Sequence, residues 1–155
     1  MHDTTLLELF TDDIGNAEQL LELIEHEFQA LGERDLARLQ AILADKQPLL
    51  AKLDEHGKVR SQLLASLQLT ADNSGLRTLA ARSSRGDELL ACSEALSALL
   101  EQCQAGNLRN GRLIRASQTS TRSMLGILRG GDAPNLYDSR GATARIGQQR
   151  PLSQA

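Results

Sequence analysis

Few residues in this 155-residue chain are equipped for chemistry, and their spacing argues against it. The three histidines, His2, His26 and His56, lie far apart, with no cysteine or carboxylate at a metal-ligand or catalytic-triad spacing. His26, in the stretch IEHEFQA, matches neither the HExxH pattern nor a phosphotransfer histidine, and reads as a solvated residue on a helix face. Cys92 and Cys103 are eleven residues apart. On one helix, rising about 1.5 Å per residue, they would stand about 16 Å apart, too far to bridge, so they read as reduced core thiols. No CxxC, Gly-rich phosphate loop or GxSxG is present. Arg85-Gly86-Asp87 spells an adhesion tripeptide, but a glycine ahead of a helix-capping aspartate accounts for it. The expectation is a chain that is no enzyme and takes no cofactor or metal.

What remains is chemistry of binding. Residues 1–104 carry nine basic and eighteen acidic side chains, whereas 105–155 carry eight arginines and two aspartates, a contrast of −9 with +6. Such asymmetry marks a partner-binding segment. Nucleic acid is a weak candidate, because the arginines are spread out and Tyr137 is the one stacking aromatic among them. DNA is not expected, and an RNA-binding regulator is the least favoured alternative. A stripe of Leu108, Leu113, Ile114, Met124, Leu125, Ile127 and Leu128 has two readings: loose packing within the fold, or an amphipathic surface for another protein's helix. Tyr137, beside Leu136 in the stretch PNLYDSRGATARIG, reads either as a cover for an apolar patch or as a short docking peptide.

The elements that must position these residues are helical. The apolar share of 41% is carried by Leu and Ala, with no Trp, one Tyr and two Phe, which suits helix-on-helix packing. Leu7, Phe10, Ile14, Ala17, Leu21, Ile24, Phe28 and Leu31 recur at spacings of three and four, the seam of a coiled coil, with Asp3 or Thr4 as N-cap and Gly32 as stop. At about 1.5 Å per residue this helix would be about 40 Å long, so an elongated molecule is expected. A second stripe through Leu36, Leu39, Leu43, Lys46, Leu50, Leu53, Val59, Leu63 and Leu67 reads as one long helix kinked at Pro48. TADNSG is a turn cluster, and residues 76–86 are a short helix or an irregular connection. A third long helix opens with Asp87 as N-cap. Its seam is apolar to Cys103, then turns to Gly106, Asn110, Ser117 and Ser120, a pattern poorly specified for an intramolecular core.

The sequence therefore predicts an all-α fold: an elongated antiparallel bundle of about three long helices with coiled-coil packing, over residues 1–130. A flexible tail over 131–155 has too few apolar groups to offset its ordering entropy. The N-terminal stretch is acidic and lacks a long apolar run, so neither a signal peptide nor membrane insertion is expected, and a cytoplasmic location is.

Three stretches in this order resemble the FlgN family of flagellar type III export chaperones. ILADKQPLLAKLD (42–54) is similar to its acidic-Lys motif followed by leucines, although Pro48 interrupts the match. NLRNGRLIRASQ (107–118) is similar to its Asn-rich turn of helix, and PNLYDSRGATARIG (134–147) to its short Leu-Tyr segment and basic tail, with Arg140 and Arg145 as departures. The resemblance implies a chaperone that binds the C-terminal regions of hook-associated proteins, which join hook to filament. It would keep them from assembling early and deliver them to the export apparatus. It places cargo binding on Asn107, Leu108, Asn110, Leu113, Ile114, Met124, Leu125 and Leu128. It places docking onto the cytoplasmic domain of the export gate on Tyr137 with Leu136, and brings in the export ATPase complex as a further partner. A coiled-coil adaptor that self-associates as a homodimer through the first helix is the alternative.

Overall fold

The structure, a computed structural model, describes residues 2–128, which form four helices with no strand among them. These are α1 (His2–Glu33), α2 (Leu36–Ser66), α3 (Asn73–Arg82) and α4 (Gly86–Leu128). The all-α reading holds, but four helices replace about three. The fourth is α3, a ten-residue helix that starts inside the supposed turn cluster and takes up the short-helix alternative for 76–86. Asp72 caps it, its Oδ1 accepting from the Gly75 N–H at 3.0 Å and from the Thr70 hydroxyl at 2.6 Å. Leu76 and Ala80, one turn apart, are buried beneath it. Gly75 has a steric reason, since a Cβ there would run into the carbonyl of Thr70.

The ends of α1 and α2 correct a second expectation. Gly32 does not stop α1; it lies inside the helix, in open space. The stop is Arg34, in the left-handed region at φ 56, with its N–H on the Leu31 carbonyl at 3.3 Å and the Asp35 N–H on Ala30 at 3.0 Å. Asp35 then starts α2 by accepting from the Arg38 N–H at 3.1 Å. Gln68 repeats the device after α2, at φ 60, with Leu69 N–H on Leu64 at 2.9 Å. Two residues thus reverse the chain between α1 and α2. Helix α2 runs through Pro48 as a single element. At the other ends α1 begins at His2 and α4 at Gly86, so Asp3 and Asp87 fall in first turns, where a carboxylate favours the helix dipole.

Up to Gly106 the helices share two apolar clusters. One joins Leu6, Leu7, Phe10 and Ala17 of α1 to Leu76 of α3 and Leu89 and Leu96 of α4. The other joins Leu20 and Ile24 to Leu49 and Cys103. Leu6, Leu20, Ile24 and Leu89 are almost wholly buried, each stabilising by about 1.5–3 kcal/mol relative to exposure. Ala17 faces Cys103, whose thiol lies 3.7 Å from the Ala17 carbonyl, and Ile24 faces Gly106, so α1 and α4 run the same way. Burial pushes the Cys103 thiol above its ordinary range, with the Lys46 charge pulling modestly the other way. It is an unreactive core thiol.

The buried positions of α1 are Leu6, Phe10, Asp13, Ala17, Leu20, Ile24 and Glu27, with Leu7 and Ala30 beside them. The heptad is there, but half of it is centred one residue earlier than expected: Leu6, Asp13, Leu20 and Glu27 face inward. Of the expected set only Leu7 is buried with them, Ile14 and Leu21 being partly buried and Phe28 exposed. In α2 the inward residues are Ile42, Lys46, Leu49 and Leu64, while Leu36 and Val59 are exposed. The physical reason is that α1 buries two carboxylates, each neutralised by a cation from α2.

Candidate functional site

Two places gather functional groups. The first is the α1–α2 interface. Asp13, fully enclosed, accepts from the Arg60 guanidinium through Oδ2 and meets His56 Nδ1 at 2.7 Å through Oδ1. Asn16 Nδ2 reaches the same carboxylate at 3.4 Å, and the Arg60 guanidinium stacks 5.1 Å from the centroid of the Phe10 ring. Two heptads further on, Glu27 Oε2 lies 3.4 Å from Lys46 Nζ, both side chains almost wholly buried. From Asp13 to Glu27 the chain advances fourteen residues while the partners retreat by the same number, from Arg60 to Lys46. The two helices are therefore antiparallel.

His56 thus has a carboxylate partner that sequence spacing did not show, forty-three residues away. No nucleophile joins the pair in any of its hydrogen bonds, and among the described residues no His, Cys, Asp and Glu cluster could hold a metal. The arrangement neutralises charge inside a helix pair. A signal was available in the matching fourteen-residue intervals of Asp13 and Glu27 on one side and Lys46 and Arg60 on the other.

The second place is α4 beyond Gly106. At 3.6 residues per turn, Leu113, Ile114, Met124 and Leu125 fall within an arc of about 120°, and Asn107 and Asn110 share it. Arg112, Arg115 and Arg122 lie on the opposite side and Arg109 at the edge of the arc, about 40° from Leu113, so the segment is amphipathic. Leu108 falls among the arginines, about 160° from Met124. The residues assigned to cargo therefore divide. Met124 is 57% and Leu125 46% exposed, Leu113 and Ile114 are half-buried, and Leu108 is 60% exposed on the far side. Asn107 and Asn110 are buried, with Arg109 Nε donating to Asn110 Oδ1 at 3.2 Å. Leu128 is the last residue of the helix. Between the two apolar pairs the polar run is helical, with Thr119 and Thr121 donating back to the Arg115 and Ser117 carbonyls at 3.0 and 2.9 Å. Leu136, Tyr137 and the tail over 131–155 lie outside the described residues.

The described residues make a helical protein with ion pairs sealed into its α1–α2 seam and an amphipathic segment of α4 in which Met124 and Leu125 are exposed. Among the described residues no helix is long and apolar enough to cross a membrane. The chain belongs to the FlgN family: the family's pattern, described as FlgN protein, matches residues 1–145. It is also similar to a crystal structure from Pseudomonas aeruginosa described as a candidate flagella synthesis protein FlgN. The two are 48% identical, with a TM-score of 0.69, over 80% of this chain and 95% of that one. No curated protein matches the chain.

Proposed function

We propose that this chain is a flagellar export chaperone that holds the C-terminal region of a hook-associated protein on α4, between Asn107 and Leu128, in the cytoplasm. The observation that carries the reading is the apolar face of Leu113, Ile114, Met124 and Leu125. It leaves Met124 and Leu125 in solvent. Such a face suits an amphipathic helix laid along it, with methionine adapting to the partner and Ser117 allowing close approach. Binding there would cover the cargo surface that otherwise assembles early.

Delivery is assigned to Tyr137 with Leu136, as the docking element for the cytoplasmic domain of the export gate, with the export ATPase complex as a further station. Because docking and cargo binding use different residues, the chaperone can arrive at the gate loaded. Co-expression with the co-encoded hook-associated proteins, followed by mass identification of what copurifies, tests the reading. Recovery of a stoichiometric complex with one of them is expected; recovery of the chaperone alone would contradict it.

A further inference from the structure

The two ion pairs inside the α1–α2 seam sit where apolar residues would give more stability. Removing two charges from water costs several kcal/mol per ion, and replacing a buried pair by well-packed apolar residues is often neutral or stabilising. Their placement points to a different use. We propose that Asp13 and Glu27 are pairing determinants: they make α1 selective for α2 in one register, and bar α1 from pairing with a second copy of itself.

The register argument follows from what each slip would bury. In the observed register Asp13 meets Arg60 and Glu27 meets Lys46. A slip of one heptad in either direction sets Asp13 against Leu53 or Leu67, and Glu27 against Leu39 or Leu53. Half-heptad slips set Glu27 against Ile42, Leu49 or Leu50. Slips of two heptads keep one cation and lose the other, leaving Glu27 opposite Gly32 or Asp13 opposite Ser74. Among the slips that keep the two heptad faces together, only the observed alignment neutralises both carboxylates. The one other antiparallel alignment that offers two cations, Asp13 with Lys52 and Glu27 with Arg38, is a slip of eight residues that turns a different face of α2 inward. Every other heptad-keeping slip leaves at least one carboxylate enclosed against a residue that offers it no charge, the costly half of a broken buried pair.

The same residues forbid α1 from pairing with itself. Asp13 and Glu27 share one heptad position, two heptads apart, so a parallel pair would stack Asp13 on Asp13 and Glu27 on Glu27. An antiparallel pair that set Asp13 opposite Glu27 would also bring carboxylate onto carboxylate. A long heptad helix is prone to self-pairing, and a polar residue at a single seam position is a known means of fixing register and partner. Here the discrimination is electrostatic, and the cations on α2 supply the matching half. The inference stands apart from the cargo assignment, since it concerns α1 and α2 alone.

The test is a full-length chain with the seam made apolar, Asp13→Leu, Glu27→Leu, Lys46→Leu and Arg60→Leu, compared with the original by sedimentation equilibrium over a concentration series. These side chains lie within the hairpin, so new association must come from α1 exchanging partners. Self-association tighter by about ten-fold or more is expected, because like-charge repulsion no longer opposes it. Association within about two-fold of the original chain would overturn the proposal. Should that variant not fold, the swapped pair decides: Glu27→Lys alone must lower the melting temperature, and Glu27→Lys with Lys46→Glu must recover most of it. A single Glu27→Lys chain as stable as the original, or a swapped chain no better than the single one, would overturn the pairing role.

Discussion

Gly106 of α4 and Ile24 of α1 are in such close contact that a Cβ on Gly106 would stand 2.6 Å from Ile24 Cγ2. Ile24 is fully enclosed, so its methyl group has nowhere to go. Gly106→Ala gains about 1 kcal/mol of helix propensity and loses about 1–3 kcal/mol to overpacking. A net loss is expected in urea unfolding. The clash should vanish in an Ile24→Ala background, where Gly106→Ala becomes stabilising; a strictly additive double-mutant cycle would contradict the contact.

Arg34 and Gln68 hold left-handed conformations that suit glycine. Arg34→Gly and Gln68→Gly should each stabilise by roughly 0.5–1 kcal/mol. Gly32→Ala, inside α1 with open space around it, should do so by a similar amount, about 1 kcal/mol. Each raises the melting temperature by about 2–4 °C in a calorimeter. A lower melting temperature for Arg34→Gly would mean that the Schellman turn is not what ends α1.

Acid should weaken the start of α3. The Asp72 carboxyl is held below the usual carboxylate range, first by the Thr70 hydroxyl and then by the Gly75 N–H. A depressed folded value means that this contribution is complete above the unfolded value, near 4, and fades as pH falls through the folded one. Asp72→Asn keeps a capping oxygen but no titrating charge. Its melting temperature should therefore lie below that of the original chain at pH 6, with the gap closing towards pH 2. A gap that is constant with pH would remove the charge from the account.

Tyr137→Ala should leave cargo binding intact and abolish capture by the cytoplasmic domain of the export gate in a pull-down. Capture at the original strength would remove Tyr137 from docking.

The sequence made the helical class and the heptad rhythm of α1 plain, because Leu, Phe and Ile recur at three and four. It misplaced half of the seam because a carboxylate at a heptad position looks like surface. Only when α2 brings Arg60 and Lys46 to Asp13 and Glu27 does the inward set become Leu6, Asp13, Leu20 and Glu27. Gly32 looked like a stop because glycine favours the left-handed conformation, yet Arg34 accepts that strain where two hydrogen bonds hold it. The weakening of the seam after Cys103 was legible and led to the amphipathic segment of α4. That Leu108 lies across the helix follows from the 3.6-residue period alone, whereas the burial of Asn107 and Asn110 is not stated by residue types.

The central claim is that the apolar face of α4 holds cargo, and isothermal calorimetry with the C-terminal region of a co-encoded hook-associated protein tests it most directly. Leu125→Asp places a charge in a desolvated contact and should weaken binding by at least about ten-fold. Leu108→Asp, on the arginine side, should change it by less than about two-fold. Equal binding by the original chain and the Leu125→Asp variant would contradict the account.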